Sequence, residues 1–194
     1  MKLYLIRHGQ SVANIEERHS GWTQVPLTAK GREDAIRAGI LIREINFDKV
    51  YTSDLIRAME TQRLALPERE AETLESVREI NVGKLGGRLK SDCHHEYGDE
   101  YIVKRAAFEY GEYGGESYDE FSTRVSKFKS FIETHDCDKV AVFCHGGVID
   151  TFLELVLGHR IDRAKFPCYN GSVSIFELKD AQWKLLLWNY TGRL

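Results

Sequence analysis

The chain predicts a three-layer α/β/α sandwich built on a mostly parallel central sheet, with a small helical insertion. Three observations predict it. Short apolar runs of strand length alternate with longer stretches of helical periodicity. Two of these runs, Leu3 to Ile6 and Val140 to Cys144, are followed within a residue by a histidine and a glycine. No repeat, low-complexity tract or linker divides the 194 residues, so a single domain over 1–194 is expected.

Leu3 to Ile6 reads as a buried strand ending at Arg7. Thr28 is an N-cap for a helix over about Ala29 to Glu44, with Ala35, Ala38, Ile42 and Ile45 as its apolar stripe. Lys49 to Thr52 is a second strand. Ser53 or Asp54 caps the next helix, which Pro67 ends at the latest. Glu72 to Val77 is a third strand, and the glycines at 83, 86 and 87 break regular structure after it. Ser91 to Tyr110 reads as the helical insertion, with a loop over Gly111 to Gly115; together they form an insertion or lid at about 91–115. Its dense aromatics, Tyr97, Tyr101, Phe108, Tyr110 and Tyr113, suit either local core or a lid that sets substrate choice. Phe121, Val125, Phe128 and Ile132 mark an amphipathic helix. Val140 to Cys144 is the strongest strand signal and leads into a helix over Val148 to Leu157. Val173 to Leu178 and Trp183 to Trp188 close the sheet, with Trp183 and Trp188 suited to core or to the surface of a homodimer.

Composition narrows the class of function. Hydrophobic residues make up 42% and charged residues 29%, which excludes disorder. The net charge of −3 argues against nucleic acid or an anionic membrane as partner, but leaves room for a local basic pocket. The apolar run at the N-terminus is too short for a signal-peptide core, and no stretch is long enough to span a membrane. Four cysteines without a C-x-x-C pair point to a reducing, cytoplasmic setting rather than a zinc site or disulfide scaffold. Adjacent His94 and His95 cannot face one site from a helix and read as polar surface. Cys144 reads as a small buried residue closing its strand.

The chemistry gathers at strand ends. His8 and His145 each lie just past a strand, where open α/β sheets bind ligands, and the glycines beside them admit close approach of backbone. If the two strands are neighbours, both imidazoles face one crevice. Arg7 precedes His8, and Arg57 opens a helix after another strand. A guanidinium is always charged and presents a planar fork of donors that suits phosphate oxygens. Two imidazoles and two guanidiniums are what phosphoryl transfer asks for: a nucleophile in line with the leaving oxygen, and positive charge around the equatorial oxygens. His8 is the candidate nucleophile, forming a phosphohistidine. Glu79 is the candidate proton donor to the leaving alkoxide. A carboxyl group next to a bound phosphate keeps its proton because the two negative charges repel.

Leu5-Ile6-Arg7-His8-Gly9-Gln10-Ser11 with Asn14 resembles the signature of the histidine phosphatase superfamily, also called phosphoglycerate mutase-like. Five further blocks match in order: Gly21-Trp22 with Pro26 to Gly31, Thr52 to Leu55 with Arg57, Ala58 and Thr61, Arg78-Glu79-Ile80 with Gly83 and Gly87, Gly114 to Ser117, and His145-Gly146-Gly147. Asn170-Gly171-Ser172 follows near the end. The resemblance implies His8 as nucleophile, Glu79 as acid, and Arg7, Arg57 and His145 as the phosphate clamp. It implies that Gln10 and Asn14 contact the phosphate or its ester oxygen, that backbone at Ser20 and Gly21 touches the rest of the substrate, and that Gly146 offers an amide. It implies no metal and no cofactor.

The expected activity is a phosphomonoester hydrolase acting on a small phosphorylated metabolite. The alternatives are a cofactor-dependent phosphoglycerate mutase and, more remotely, a non-catalytic phosphate-ligand binder. Lys90 and Tyr97-Gly98 are similar to the mutases' insertion, but Ala106-Ala107 stand where the mutases place an arginine pair, with Lys104-Arg105 two residues earlier. His145-Gly146-Gly147-Val148-Ile149 resembles the phosphatase branch. Asp150 departs from the arginine often found there, and no role is carried to it.

Overall fold

Leu3 and Leu5 face one way from strand β1 (Lys2–Arg7) and Tyr4 and Ile6 the other, each pair entering a different hydrophobic cluster. That two-sided burial makes β1 central, because alternate side chains leave opposite faces of a strand. A computed structural model of the protein describes residues 1–192. The remaining strands are β2 (Lys49–Thr52), β3 (Glu72–Thr73), β4 (Lys139–Cys144), β5 (Val173–Lys179) and β6 (Gln182–Tyr190). Their order across the sheet is β3-β2-β4-β1-β5-β6. Strands β3, β2, β4 and β1 run parallel, β5 is antiparallel to β1, and β6 is antiparallel to β5.

Among the described residues six α-helices flank it: α1 (Val12–Ile15), α2 (Ala29–Ile42), α3 (Ile56–Ala65), α4 (Lys90–Ala107), α5 (Tyr118–Glu133) and α6 (Gly146–Leu157). Ala38 and Ile42 of α2 and Ala65 of α3 join Tyr4, Ile6, Ala141 and Phe143 on one face. Phe121, Val125, Phe128 and Ile132 of α5, with Val148, Ile149, Phe152 and Leu153 of α6, join Leu3, Leu5, Val140 and Val142 on the other. The result is the three-layer α/β fold the sequence predicts. Tyr101, Tyr110 and Tyr113 are buried in this second cluster, and Tyr97 and Phe108 pack against it, so the insertion aromatics are core. Trp183 and Trp188 also pack against that cluster. No helix among the described residues is long and apolar enough to cross a membrane.

Three local expectations need correction. The third strand stops at Thr73, and Glu75–Val77 is a 3₁₀ turn. Leu74 N–H makes the last bond to β2 at Thr52, which ends that strand. Beyond it the carbonyls of Ser76 and Arg78 bond the Arg124 guanidinium (3.0 and 2.8 Å) instead of a neighbouring strand. Secondly, neither Ser53 nor Asp54 caps α3. Its N-cap is Leu55, and the Gln24 side chain accepts from Ile56 N–H at 2.8 Å. Asp54 is held by Arg78 and Ser53 by His145. Thirdly, the insertion helix is kinked at Gly98, whose φ of 67° and ψ of −162° interrupt α4.

Candidate active site

Neighbouring strands decide the site. β1 and β4 pair in register with Arg7 opposite Cys144, so His8 and His145 leave the sheet side by side. Their ring centroids lie 5.1 Å apart. Gly9 allows the turn after β1 to pass against α2, since a Cβ there would meet the Gly31 carbonyl oxygen at 2.1 Å. His145 is the N-cap of α6, so Gly146 and Gly147 form the first turn of a helix whose N–H groups point into the crevice.

The His8 ring is buried, with Nδ1 2.7 Å from the Gly9 carbonyl. A carbonyl only accepts, so Nδ1 carries the proton and Nε2 keeps its lone pair. Arg57 Nε–H donates to that Nε2 at 3.3 Å. Arg57 has no exposed surface; its Nη1 and Nη2 donate to the carbonyls of Thr23 (3.0 Å) and Gly21 (2.9 Å). Burial lowers its pKa to about 10, partly opposed by the Glu79 carboxylate, so it stays charged at neutral pH. Arg7 donates through Nη1 to the Cys168 carbonyl, and its Nε is buried without a partner. A Cβ on Gly146 would lie 3.4 Å from the Arg7 guanidinium carbon, so the cation rests on the start of α6.

His145 Nε2 is 2.9 Å from Ser53 Oγ, and its Nδ1 is buried without a partner. With the ring neutral and the Ser53 hydroxyl donating to Nε2, Nδ1 carries a proton with no acceptor. The chemical complement of two unpartnered buried donors beside a cation is a group made only of acceptors, such as a phosphate. Glu79 reaches the start of α6. Its Oε2 accepts from Gly147 N–H at 3.3 Å and its Oε1 from Ile80 N–H at 3.0 Å. Gly147 leaves room for this, because a Cβ there would meet Glu79 Oε1 at 2.2 Å and push the carboxyl group away.

The structure thus brings Arg7, His8, Arg57, Glu79 and His145 into one cluster, with Gly21 and Gly146 touching its arginines. Asn14 joins it through Asn170, whose Nδ2 donates both to Asn14 Oδ1 (3.3 Å) and to the His8 carbonyl (3.1 Å). Ser20 is one step removed: its carbonyl accepts from Thr23, whose own carbonyl holds Arg57. Gln10 is engaged elsewhere, its Oε1 accepting from the Thr28 hydroxyl at 3.0 Å. No three His, Cys, Asp or Glu side chains among the described residues gather as a metal-binding group. His94 and His95 are exposed, and Cys144 is buried with its thiol pushed well above the usual value by that burial.

Sequence reasoning gave no role in the site to Ser53, Trp22, Asn170 or Arg124. Arg124 bonds Glu116 (2.7 Å) and the Glu79 carbonyl (3.2 Å), and Trp22 Nε1–H donates to the same carbonyl at 2.7 Å. One signal was present. Arg124 falls on the apolar stripe of α5, between Phe121 and Phe128, where a charge needs a partner.

Burial drives both active-site imidazoles well below their usual pKa, and Arg57 and Arg7 push the same way. His19 is lowered to about 4, by burial first and then by Lys90, Arg105 and Arg88. All three are neutral in the folded protein at pH 6, while their unfolded counterparts begin to protonate below about 6.5. The unfolded state then binds more protons, so stability falls as pH drops from about 6.5 towards 4. Asp150, raised to about 7 by burial, acts in the opposite sense, but is one group against three. The expected result is a Tm that declines on acidification across this window. A Tm that is flat or rising there contradicts neutral burial of these rings.

The geometry can bind a tetrahedral anion against a neutral imidazole nitrogen, with the Glu79 carboxyl group at the first turn of α6 beside it. The family profile described as the histidine phosphatase superfamily (branch 1) matches residues 3–191. The chain is 35% identical over 160 residues to a 2,3-bisphosphoglycerate-dependent phosphoglycerate mutase of Gloeobacter violaceus, covering 78% of this chain and 73% of that one. It is 32% identical over 161 residues to an adenosylcobalamin/alpha-ribazole phosphatase of Salmonella typhimurium, covering 81% and 80%. Some mutases it matches are longer, and it spans 44% of one from Bacteroides fragilis. The crystal structure of an alpha-ribazole phosphatase from Shigella flexneri superimposes with a TM-score of 0.89 at 27% identity, over 98% of this chain and 97% of that one.

Proposed function

The chain belongs to the histidine phosphatase superfamily, and from that premise we propose that it hydrolyses phosphomonoesters of a small phosphorylated metabolite through a phosphohistidine on His8. One observation carries the reading: the His8 Nε2 lone pair faces Arg57 Nε, beside the unpartnered buried donors of Arg7 and His145. In the first step Nε2 attacks phosphorus, the ester P–O bond breaks, and Glu79 gives its proton to the leaving oxygen. In the second step water attacks, the N–P bond breaks, and Glu79 takes a proton from the water. The guanidiniums stabilise charge on the equatorial oxygens in both steps.

Hydrolysis is favoured over mutase action by the insertion. Ala106 and Ala107 end α4 where the mutases' arginine pair resembles this segment, and Lys104 is occupied by Glu100 (2.7 Å) and Glu112. The four cysteines are free, which supports a reducing, cytoplasmic setting. Phosphorus NMR with 3-phosphoglycerate and a trace of 2,3-bisphosphoglycerate, repeated with alpha-ribazole phosphate and other esters, tests the reading. Inorganic phosphate from any ester is the expected outcome. Conversion to 2-phosphoglycerate without phosphate release makes the chain a mutase.

Glu79→Gln is expected to slow alkyl phosphates by about 100-fold or more, and p-nitrophenyl phosphate by much less, since only a poor leaving group needs the proton. Equal losses on the two esters would remove Glu79 from the role of acid.

A further inference from the structure

A residue that the chemistry above does not use lies beside the proton donor. Phe108, the residue that ends α4, has φ 62° and ψ 36°, the left-handed conformation that helix ends reserve for glycine. Its ring lies against Gly147: the point where a Gly147 Cβ would stand is 3.1 Å from Phe108 Cε1 and 2.2 Å from Glu79 Oε1. The edge of the ring and the carboxylate oxygen therefore both border the same space over the start of α6.

The ring is held from behind. The Arg163 guanidinium carbon lies 4.0 Å from its centroid, within cation–π range. Arg163 is itself fixed by two carboxylates one turn apart on α6, Asp150 (Nε to Oδ2 3.4 Å) and Glu154 (Nη2 to Oε2 3.2 Å). Both carboxylates are buried, and buried carboxylates demand a cation. Arg160, on the same segment, donates to the Ala107 carbonyl at 3.1 Å and ties that segment to the end of α4.

We propose that Phe108, pinned by Arg163 against Gly147, is a positioning residue for the proton donor, fixing the Glu79 carboxyl where it meets the leaving oxygen and keeping water off that side. The inference rests on the phosphomonoesterase reading of the site. It gives a reason for a phenylalanine in a glycine conformation: the ring has work at the acid that a bare helix end would not do. It also gives Asp150 a part, as one of the two anchors of the arginine that holds the ring.

The test is a pair of variants assayed on an alkyl phosphate and on p-nitrophenyl phosphate. Phe108→Gly suits the left-handed backbone but gives up the ring's packing against Phe121 and Tyr110, so its thermal melt is recorded beside the kinetics; Phe108→Leu keeps apolar bulk and guards the test if the Gly variant fails to fold. The Gly variant is expected to lose about 10-fold or more in kcat on the alkyl ester and less than about 3-fold on the aryl ester, with KM little changed on both. The Leu variant is expected to recover part of the alkyl activity. Arg163→Lys, which keeps the charge but loses the flat stacking surface, is expected to show a smaller loss with the same ester dependence. Equal losses on both esters, or no loss, overturn the inference while leaving the hydrolase reading intact. A wild type that hydrolyses neither ester overturns both.

Discussion

His8→Ala is expected to lower kcat/KM by about 10⁴-fold or more on every phosphate ester the wild type hydrolyses, with no dependence on the leaving group. In the proposed mechanism the ring nitrogen becomes bonded to phosphorus, so no neighbour can stand in for it. His145 is the nearest candidate, at 5.1 Å between centroids, but with Nε2 turned to the Ser53 hydroxyl it presents a protonated Nδ1, which has no lone pair to attack phosphorus. The variant should fold. The His8 ring makes two hydrogen bonds, one to the Gly9 carbonyl and one accepted from Arg57 Nε–H, and a small cavity is left where the imidazole stood. Labelling makes the test direct. Wild type incubated with a ³²P-labelled ester and quenched in alkali should retain label on protein, and the retained label should be released by acid, as a phosphoramidate is. His8→Ala should retain none. Label on the variant, or turnover within about tenfold of wild type, moves the nucleophile elsewhere.

Arg57→Lys is expected to cost about 100-fold or more in kcat/KM and, separately, to lower stability. The guanidinium divides its donors between His8 Nε2 and the carbonyls of Gly21 and Thr23, three bonds in different directions from one planar group. An ammonium on a shorter stem cannot reach all three. The buried Gly21 carbonyl left without its donor would cost about 1–3 kcal/mol, several degrees of Tm in a chain of this size, while the Thr23 carbonyl keeps Val25 N–H at 3.1 Å. The loop from Gly21 to Thr23 then loses its tie to α3. Burial adds a second loss. It already lowers the Arg57 pKa to about 10, and a lysine starts from about 10.4, so the same environment brings its charge much closer to loss at neutral pH. The expected signature is a larger fall at higher pH than at lower pH. Turnover within a few-fold of wild type at all pH values would remove Arg57 from the phosphate clamp.

Much of this was legible in the chain. The strand ends that present His8 and His145 are short apolar runs bounded by polar residues, and that pattern depends only on local burial. The α5 stripe is four residues at helical spacing, all of them buried in the fold. Where local reasoning failed, a distant group had already claimed the side chain. Ser53 has the chemistry of a helix cap, but its hydroxyl serves His145, 92 residues away. Asp54 has the same chemistry and is held by Arg78. Glu72 to Val77 has strand composition, yet β2 ends at Thr52 and the Arg124 guanidinium takes the next carbonyls, so no ladder can continue.

The sequence by itself determined the identity of the reactive groups, the strand or helix end that carries most of them, and the α/β class. Each follows from periodicity and residue chemistry within a few positions of the chain. Only the tertiary structure decided that β4 lies beside β1, that Glu79 reaches across to Gly147, and that Phe108 ends α4 against the acid. Those contacts join residues 39 to 137 positions apart. They are set by how two faces of one sheet bury their helices, and a one-dimensional pattern carries no record of which faces meet.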